Sequence, residues 1–142
     1  MSSAVMPTGS REDDLGKLIL RLAIGVLLLL HGIFKLRNGI GWMEGMLGGI
    51  GLPAFVGYGV YVGEVVAPLL VIAGKFTRLA GIVIAFNMMA AVLLALRDRI
   101  LTLNQGGGWA IELEMLFLLG GVCLFFFGSG RFALSRGTGR WD

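Results

Sequence analysis

Four long apolar runs, at about 15–36, 54–74, 78–96 and 109–127, leave this chain few folds to choose from. Crossing the hydrocarbon core of a bilayer takes about 20 predominantly apolar residues of helix, and each run is close to that length. In lipid the backbone amides have no water to bond, so such runs are expected as helices that satisfy their own N–H and C=O groups. The composition agrees: 56% of the 142 residues are hydrophobic and 15% are charged. The expected fold is therefore all-α, an integral membrane four-helix bundle that contacts the lipid bilayer. Its 24 glycines are scattered through the apolar runs, where small residues let helix backbones approach closely.

Within the first run, RLAIGVLLLLHGIFK, Arg21, Gly25, Leu28, Gly32 and Lys35 fall along one helical stripe, with His31 one turn before Lys35 at its edge. Ionisable groups at membrane depth are costly and turn toward a partner or a wet cavity. The second run places Glu64 near its centre. Gly59, Gly63 and Ala67 offer a small-residue face, and Pro68 removes the amide that would bond the Glu64 carbonyl. The third run carries Asn87 near its middle, which is expected to bond another helix. Glu112 and Glu114 open the fourth, about 200° apart on a helix, so one of them at most faces the interior.

The connections carry their own signals. Residues 1–14 read as a flexible polar tail, with Asp13 and Asp14 suited to the positive end of the first helix. Trp42, Met43, Met46, Leu47 and Ile50 recur at helical spacing within 37–53, which predicts a short interfacial helix between spans one and two; the alternative is an irregular hairpin loop. LTLNQGGG reads as a flexible connection before Trp109, and 135–142 as a second polar tail. Four spans put both tails on one side. That side collects Arg11, Lys17, Lys75, Arg78, Arg131, Arg136 and Arg140, against Lys35, Arg37, Arg97 and Arg99 on the other, so cytoplasmic termini are expected.

Several chemistries are excluded. Cys123 is the only cysteine, so the chain has neither an intramolecular disulfide nor a CxxC relay. One histidine cannot supply bis-histidine haem ligation, and no nucleotide-binding, zincin or nucleophile-elbow motif occurs. No metal, covalently bound cofactor or catalytic residue is assigned. The basic residues lie at segment ends rather than in one patch, which argues against nucleic acid. The depths of the polar residues suggest instead a pocket in the outer half of the bundle, with Lys35 near Glu112 and His31 near Glu64. Arg21 is left in the inner half, where it can snorkel to headgroups as an anchor.

These residues carry a resemblance. The run LRLAIGVLLLLHGIFKL, the GLP turn at Gly51–Pro53, the Glu64 span followed by GKFTRLAG, the NQGGGWAIELE opening of span four and the closing GSGRFAL resemble the DoxX family of small bacterial membrane proteins. The similarity runs from about Leu15 to Leu134 and implies one four-helix transmembrane domain over 15–134, multi-pass in the bacterial inner (plasma) membrane. Arg21, His31, Lys35, Glu64, Thr77, Arg78 and Glu112 match the family's polar pattern; Glu114 is an addition to it. Family members are associated with the membrane subunit of a thiosulfate:quinone oxidoreductase and with oxidative-stress enzymes, and distant animal relatives with receptor assembly.

Two functions follow as expectations. One is a redox-complex subunit that binds a quinone non-covalently, with His31, Lys35, Glu64 and Glu112 at the pocket and Arg21, Asn87, Thr77 and Arg78 as secondary polar residues. Such a chain is at most a quinone-linked oxidoreductase subunit, because it lacks an electron carrier and must borrow a protein partner. The other is a non-catalytic scaffold or assembly factor, acting through protein partners or a homo-oligomer, whose polar cluster fixes helix register. Ion or small-molecule transport is a weaker third reading, since four spans show no inverted repeat.

Overall fold

The computed structural model describes residues 9–142. Helix α1 spans Arg11–Asn38, α2 Gly41–Gly49, α3 Ala54–Ala73, α4 Thr77–Ala95 and α5 Glu112–Phe127. The helix α1 begins earlier than the expected limit of the flexible tail. Ser10 accepts from the Asp13 amide while Asp13 accepts from Ser10, a reciprocal cap that satisfies two otherwise unpaired donors. The rest of that tail, residues 1–8, lies outside the described residues.

Helices α1, α3 and α4 are long and apolar enough to cross a membrane. Helix α5 has 16 residues, about 24 Å of rise, and packs antiparallel along α4. Together the four make an all-α membrane bundle, and α2 is the short fifth helix between spans one and two. Of the apolar positions that predicted it, Leu47 is buried and Trp42 is exposed.

Glycines set the closest helix crossings. A Cβ on Gly81 would meet the Gly121 carbonyl, and one on Gly121 would meet the Gly81 carbonyl, so α4 and α5 touch backbone to backbone. Glycine permits that approach because it carries no side chain. The core between the helices is formed by Leu28, Val71, Ile84, Met88, Phe117 and Leu124. On α3 the small-residue face is split: Gly63 and Ala67 are buried, whereas Gly59 is exposed.

Helix α3 is not regular. It opens as a 3-10 segment over Ala54–Tyr58 and widens into a π turn over Val62–Val66, where the Ala67 amide reaches back to the Val62 carbonyl. Pro68 has no amide to offer Glu64, so the ladder is already broken at this level. The freed Glu64 carbonyl abuts Gly32 of α1, where a Cβ would overlap it. Thus the stripe on α1 and the proline on α3 are parts of one crossing.

The connection after α4 is built rather than flexible. Asn104 Oδ1 accepts from the Gly106 and Gly108 amides at 3.0 Å each, Leu103 and Trp109 form a β-bridge, and Trp109 Nε1 donates to the Ile100 carbonyl at 2.7 Å. The segment after α5 also folds back: the Leu134 and Ser135 amides donate to the Ala73 and Gly74 carbonyls.

Candidate functional site

Two cations of α1, Arg21 buried and Lys35 half-buried, meet different surroundings. Arg21 is 1% exposed and donates to four main-chain carbonyls. These are Val71 and Ile72 at the end of α3, and Ser129 and Phe132 in the segment after α5, all at 2.8–2.9 Å. The carbonyls at a helix C-terminus lack intrahelical donors and carry partial negative charge, so the guanidinium satisfies them and is stabilised in turn. Arg21 is therefore an internal clamp between α1, α3 and the segment after α5. The expected snorkelling anchor is corrected, because a guanidinium 1% exposed and held by four main-chain carbonyls does not reach the headgroups.

Lys35 Nζ donates to both oxygens of Glu64, at 2.6 and 2.7 Å. The Glu64 side chain is 5% exposed and that of Lys35 21%, so the carboxylate is inside and the ammonium lies toward the opening. Asn87 Nδ2 of α4 adds a longer 3.4 Å contact to Glu64 Oε1, and Tyr61 donates its hydroxyl hydrogen to the Lys35 carbonyl. Three helices are joined at this one carboxylate. The expected interhelical bond of Asn87 is present, made to the glutamate.

This cluster opens on a cavity of about 870 Å³ between α1, α2, α3, α4 and α5. Its walls are mainly apolar, with Trp42 and Met43 from α2 and Met88 from α4; His31, Lys35, Glu64, Asn87 and Glu114 supply the ionisable and amide groups. His31 lies edge-on to Phe117 of α5, with ring centroids 5.8 Å apart. Apolar walls with a few convergent polar groups are the usual build of a small-molecule site.

The pairing inside the cluster differs from the expected one. Glu64 is bound to Lys35, and Glu112 is exposed outside the cavity, where its Oε1 accepts from Asn104 Nδ2 at 3.3 Å. Gly108 lies against the Glu112 carboxylate, so this side chain braces the loop. The 200° separation of the two glutamates then puts Glu114 on the cavity wall. Helical spacing limited the choice to one glutamate, but only the fold of the 104–109 loop shows which.

The remaining polar residues lie at the opposite end. Arg78 donates to the Phe125, Phe126 and Asp142 carbonyls and ties the start of α4 to the end of α5. Thr77 is fully buried, and its hydroxyl has no hydrogen-bond partner among the described residues. Neither belongs to the cavity. Asp14, buried and bonded by the Arg131 guanidinium at 3.0 Å, completes this end; its position near the first helix N-terminus gave no sign of that partner.

Comparison with known proteins agrees with the architecture. A Bacillus subtilis protein named "Putative oxidoreductase CatD" is 31% identical over 87 residues, 59% of this chain and 62% of that protein. This chain thus spans less than two thirds of that relative's length. A Mycobacterium tuberculosis protein named "Uncharacterized membrane protein Rv3486" is 29% identical over 129 residues, 82% of this chain and 77% of the other. No solved structure gives a significant match. The DoxX family model matches residues 16–97, from within the second turn of α1 to just past the end of α4, and the chain belongs to the DoxX family.

Proposed function

We propose that this chain is the membrane subunit of a quinone-linked redox complex and that the cavity over the Lys35–Glu64 pair is its quinone site. The observation that carries the reading is a charged pair at the wall of an apolar cavity of about 870 Å³. That volume lies within the roughly 300–1,000 Å³ of small-molecule sites. A quinone needs apolar walls for its ring and donors for its two carbonyl oxygens. Lys35 has three N–H donors and gives two to Glu64, which leaves one for a ligand. Asn87 supplies a second donor group, and His31 and Glu114 stand on the wall as proton carriers.

Reduction of a quinone to its quinol consumes two electrons and two protons. The side chains at this cavity handle protons only, so the electrons come from a partner protein that carries a redox centre. The name of the Bacillus subtilis relative fits a redox role. The predominance of Lys and Arg at the end where the two tails meet supports cytoplasmic termini in a bacterial plasma membrane. Lys35 and the cavity then face the outer half of the bilayer.

The test is purification in native lipid followed by quinone extraction, and titration of the stripped protein in nanodiscs with short-chain benzoquinone and naphthoquinone analogues. Stoichiometric quinone, or saturable binding weakened in Lys35→Met and His31→Ala, is the expected result. A protein that binds no analogue yet co-purifies with a stoichiometric partner would replace this reading with the scaffold.

A further inference from the structure

The end of the bundle remote from the cavity carries a second, polar pocket of about 250 Å³. Four cations line it: Lys17 of α1, Arg78 of α4, and Arg131 and Arg136 of the segment after α5. Two carboxylates, Asp14 and Asp142, lie among them, and both already have donors. Asp14 accepts from the Arg131 amide and guanidinium, and Asp142 Oδ1 from the Phe76 amide. Arg78 is spent on carbonyls, but Lys17 and Arg136 have neither a hydrogen-bond nor an ion-pair partner among the described side chains. The pocket therefore presents uncompensated positive charge.

Its backbone is arranged around that charge. Arg136 holds φ 53°, in the left-handed region, where an arginine has nothing to gain from its own backbone. Such a conformation in a non-glycine residue is disfavoured and persists where the surroundings fix it, often at binding sites. A Cβ added at Gly130 would crowd the Lys17 side chain, so that side chain lies beside the 128–131 turn rather than away from it.

The depth of the pocket indicates its occupant. Ile19, half a turn beyond Lys17, is 67% exposed, and Phe127 and Phe132 on the other side are 53% and 44% exposed. These are lipid-facing apolar groups, which puts the cations at the level of the headgroups. Basic pockets between transmembrane helices at that level suit phosphate-bearing headgroups, and guanidinium groups suit phosphate oxygens.

We propose that this pocket binds a phosphate group, carried by an anionic phospholipid or free in solution, through Lys17 and Arg136 with Arg131 in support. The proposal does not depend on the quinone reading, since the pocket lies at the other end of the bundle. The full chain in phosphatidylcholine nanodiscs doped with phosphatidylglycerol, followed by native mass spectrometry, reads the lipid; calorimetric titration with inorganic phosphate reads the free ion. Arg136→Gly removes the guanidinium and also relieves the left-handed backbone, so the variant is expected to melt no lower than the parent. Lys17→Gln is the independent second variant.

Retention of phosphatidylglycerol over phosphatidylcholine, weakened roughly fivefold by each variant, identifies a lipid phosphate. Binding of inorganic phosphate without lipid preference, weakened by the same variants, identifies the free ion. Absence of both, or lipid and phosphate retention unchanged in Arg136→Gly and Lys17→Gln, overturns the proposal.

Discussion

Arg21 and Lys35 sit on one stripe of one helix, and their surroundings make them opposites. The Arg21 guanidinium is enclosed by four carbonyls drawn from two segments. Lys35 has a single carboxylate, is partly exposed, and opens on a cavity. A buried guanidinium with four of its five N–H donors bonded to the main chain rigidifies a fold. A cation with a donor left over at an apolar cavity can accept a ligand. The two ends of the bundle thus divide the work: the end near Arg21 is tied by backbone bonds, and the end near Lys35 is held by side chains that a bound molecule can address.

The largest effect should come from breaking the closed end. Arg21→Leu takes the guanidinium from four carbonyls, of which Val71 alone keeps a second donor among the described residues, the Gly74 amide, and each bond to a charged group contributes about 1.5–3 kcal/mol. A loss of at least about 4 kcal/mol is expected in reversible detergent unfolding, and a variant of near-parental stability would show that the clamp is dispensable. Arg21→Lys should recover little of it, because an ammonium lacks the guanidinium's planar fork.

At the open end the effect should be divisible. Glu64→Leu strands the Lys35 ammonium and should cost about 3–5 kcal/mol. The double variant Lys35→Met/Glu64→Leu should recover most of that stability while still failing to bind quinone analogues. A double-mutant cycle in unfolding, with analogue titration of the double variant, separates the two roles. Retained analogue binding in that variant would erase the distinction between the two cations.

Gly32→Ala tests how the open end is positioned. The added methyl overlaps the Glu64 carbonyl, so α1 and the π turn must separate. Overpacking of this kind typically costs about 1–3 kcal/mol, and it should weaken analogue binding by displacing Glu64 from Lys35. Equal stability and affinity in the variant would argue that the crossing is loose.

The smallest effect separates the two glutamates of α5. Glu112→Gln keeps an acceptor for Asn104 and should change stability by no more than about 0.5 kcal/mol, with analogue binding unchanged. Glu114→Gln should be equally mild in stability but should lower the affinity for quinone analogues, because it changes the cavity wall. The reverse pattern would restore Glu112 to the site.

How much of this was legible in the chain varies by element. The spans, the interfacial helix and the buried stripe on α1 follow from apolar length and helical spacing, which local sequence carries. The site was half legible. His31, Lys35 and Glu64 announce themselves as ionisable groups in apolar runs, and the cavity collects all three. Their pairing was not legible, because partners 29 residues apart depend on how two helices are rotated about their axes. The surroundings of Arg21 were hidden for a related reason: its acceptors are main-chain carbonyls, which every residue possesses and no side chain marks.

The sequence by itself determined that this is a helical membrane protein of the DoxX kind, since a bilayer admits few answers to four apolar runs of this length. Only the tertiary structure decided which charges meet. The proline-broken turn of α3, the bare surface at Gly32 and the fold of the 104–109 loop set helix positions to within a side chain's reach. That reach determines whether a cation is closed off, as Arg21 is, or left addressable, as Lys35 is.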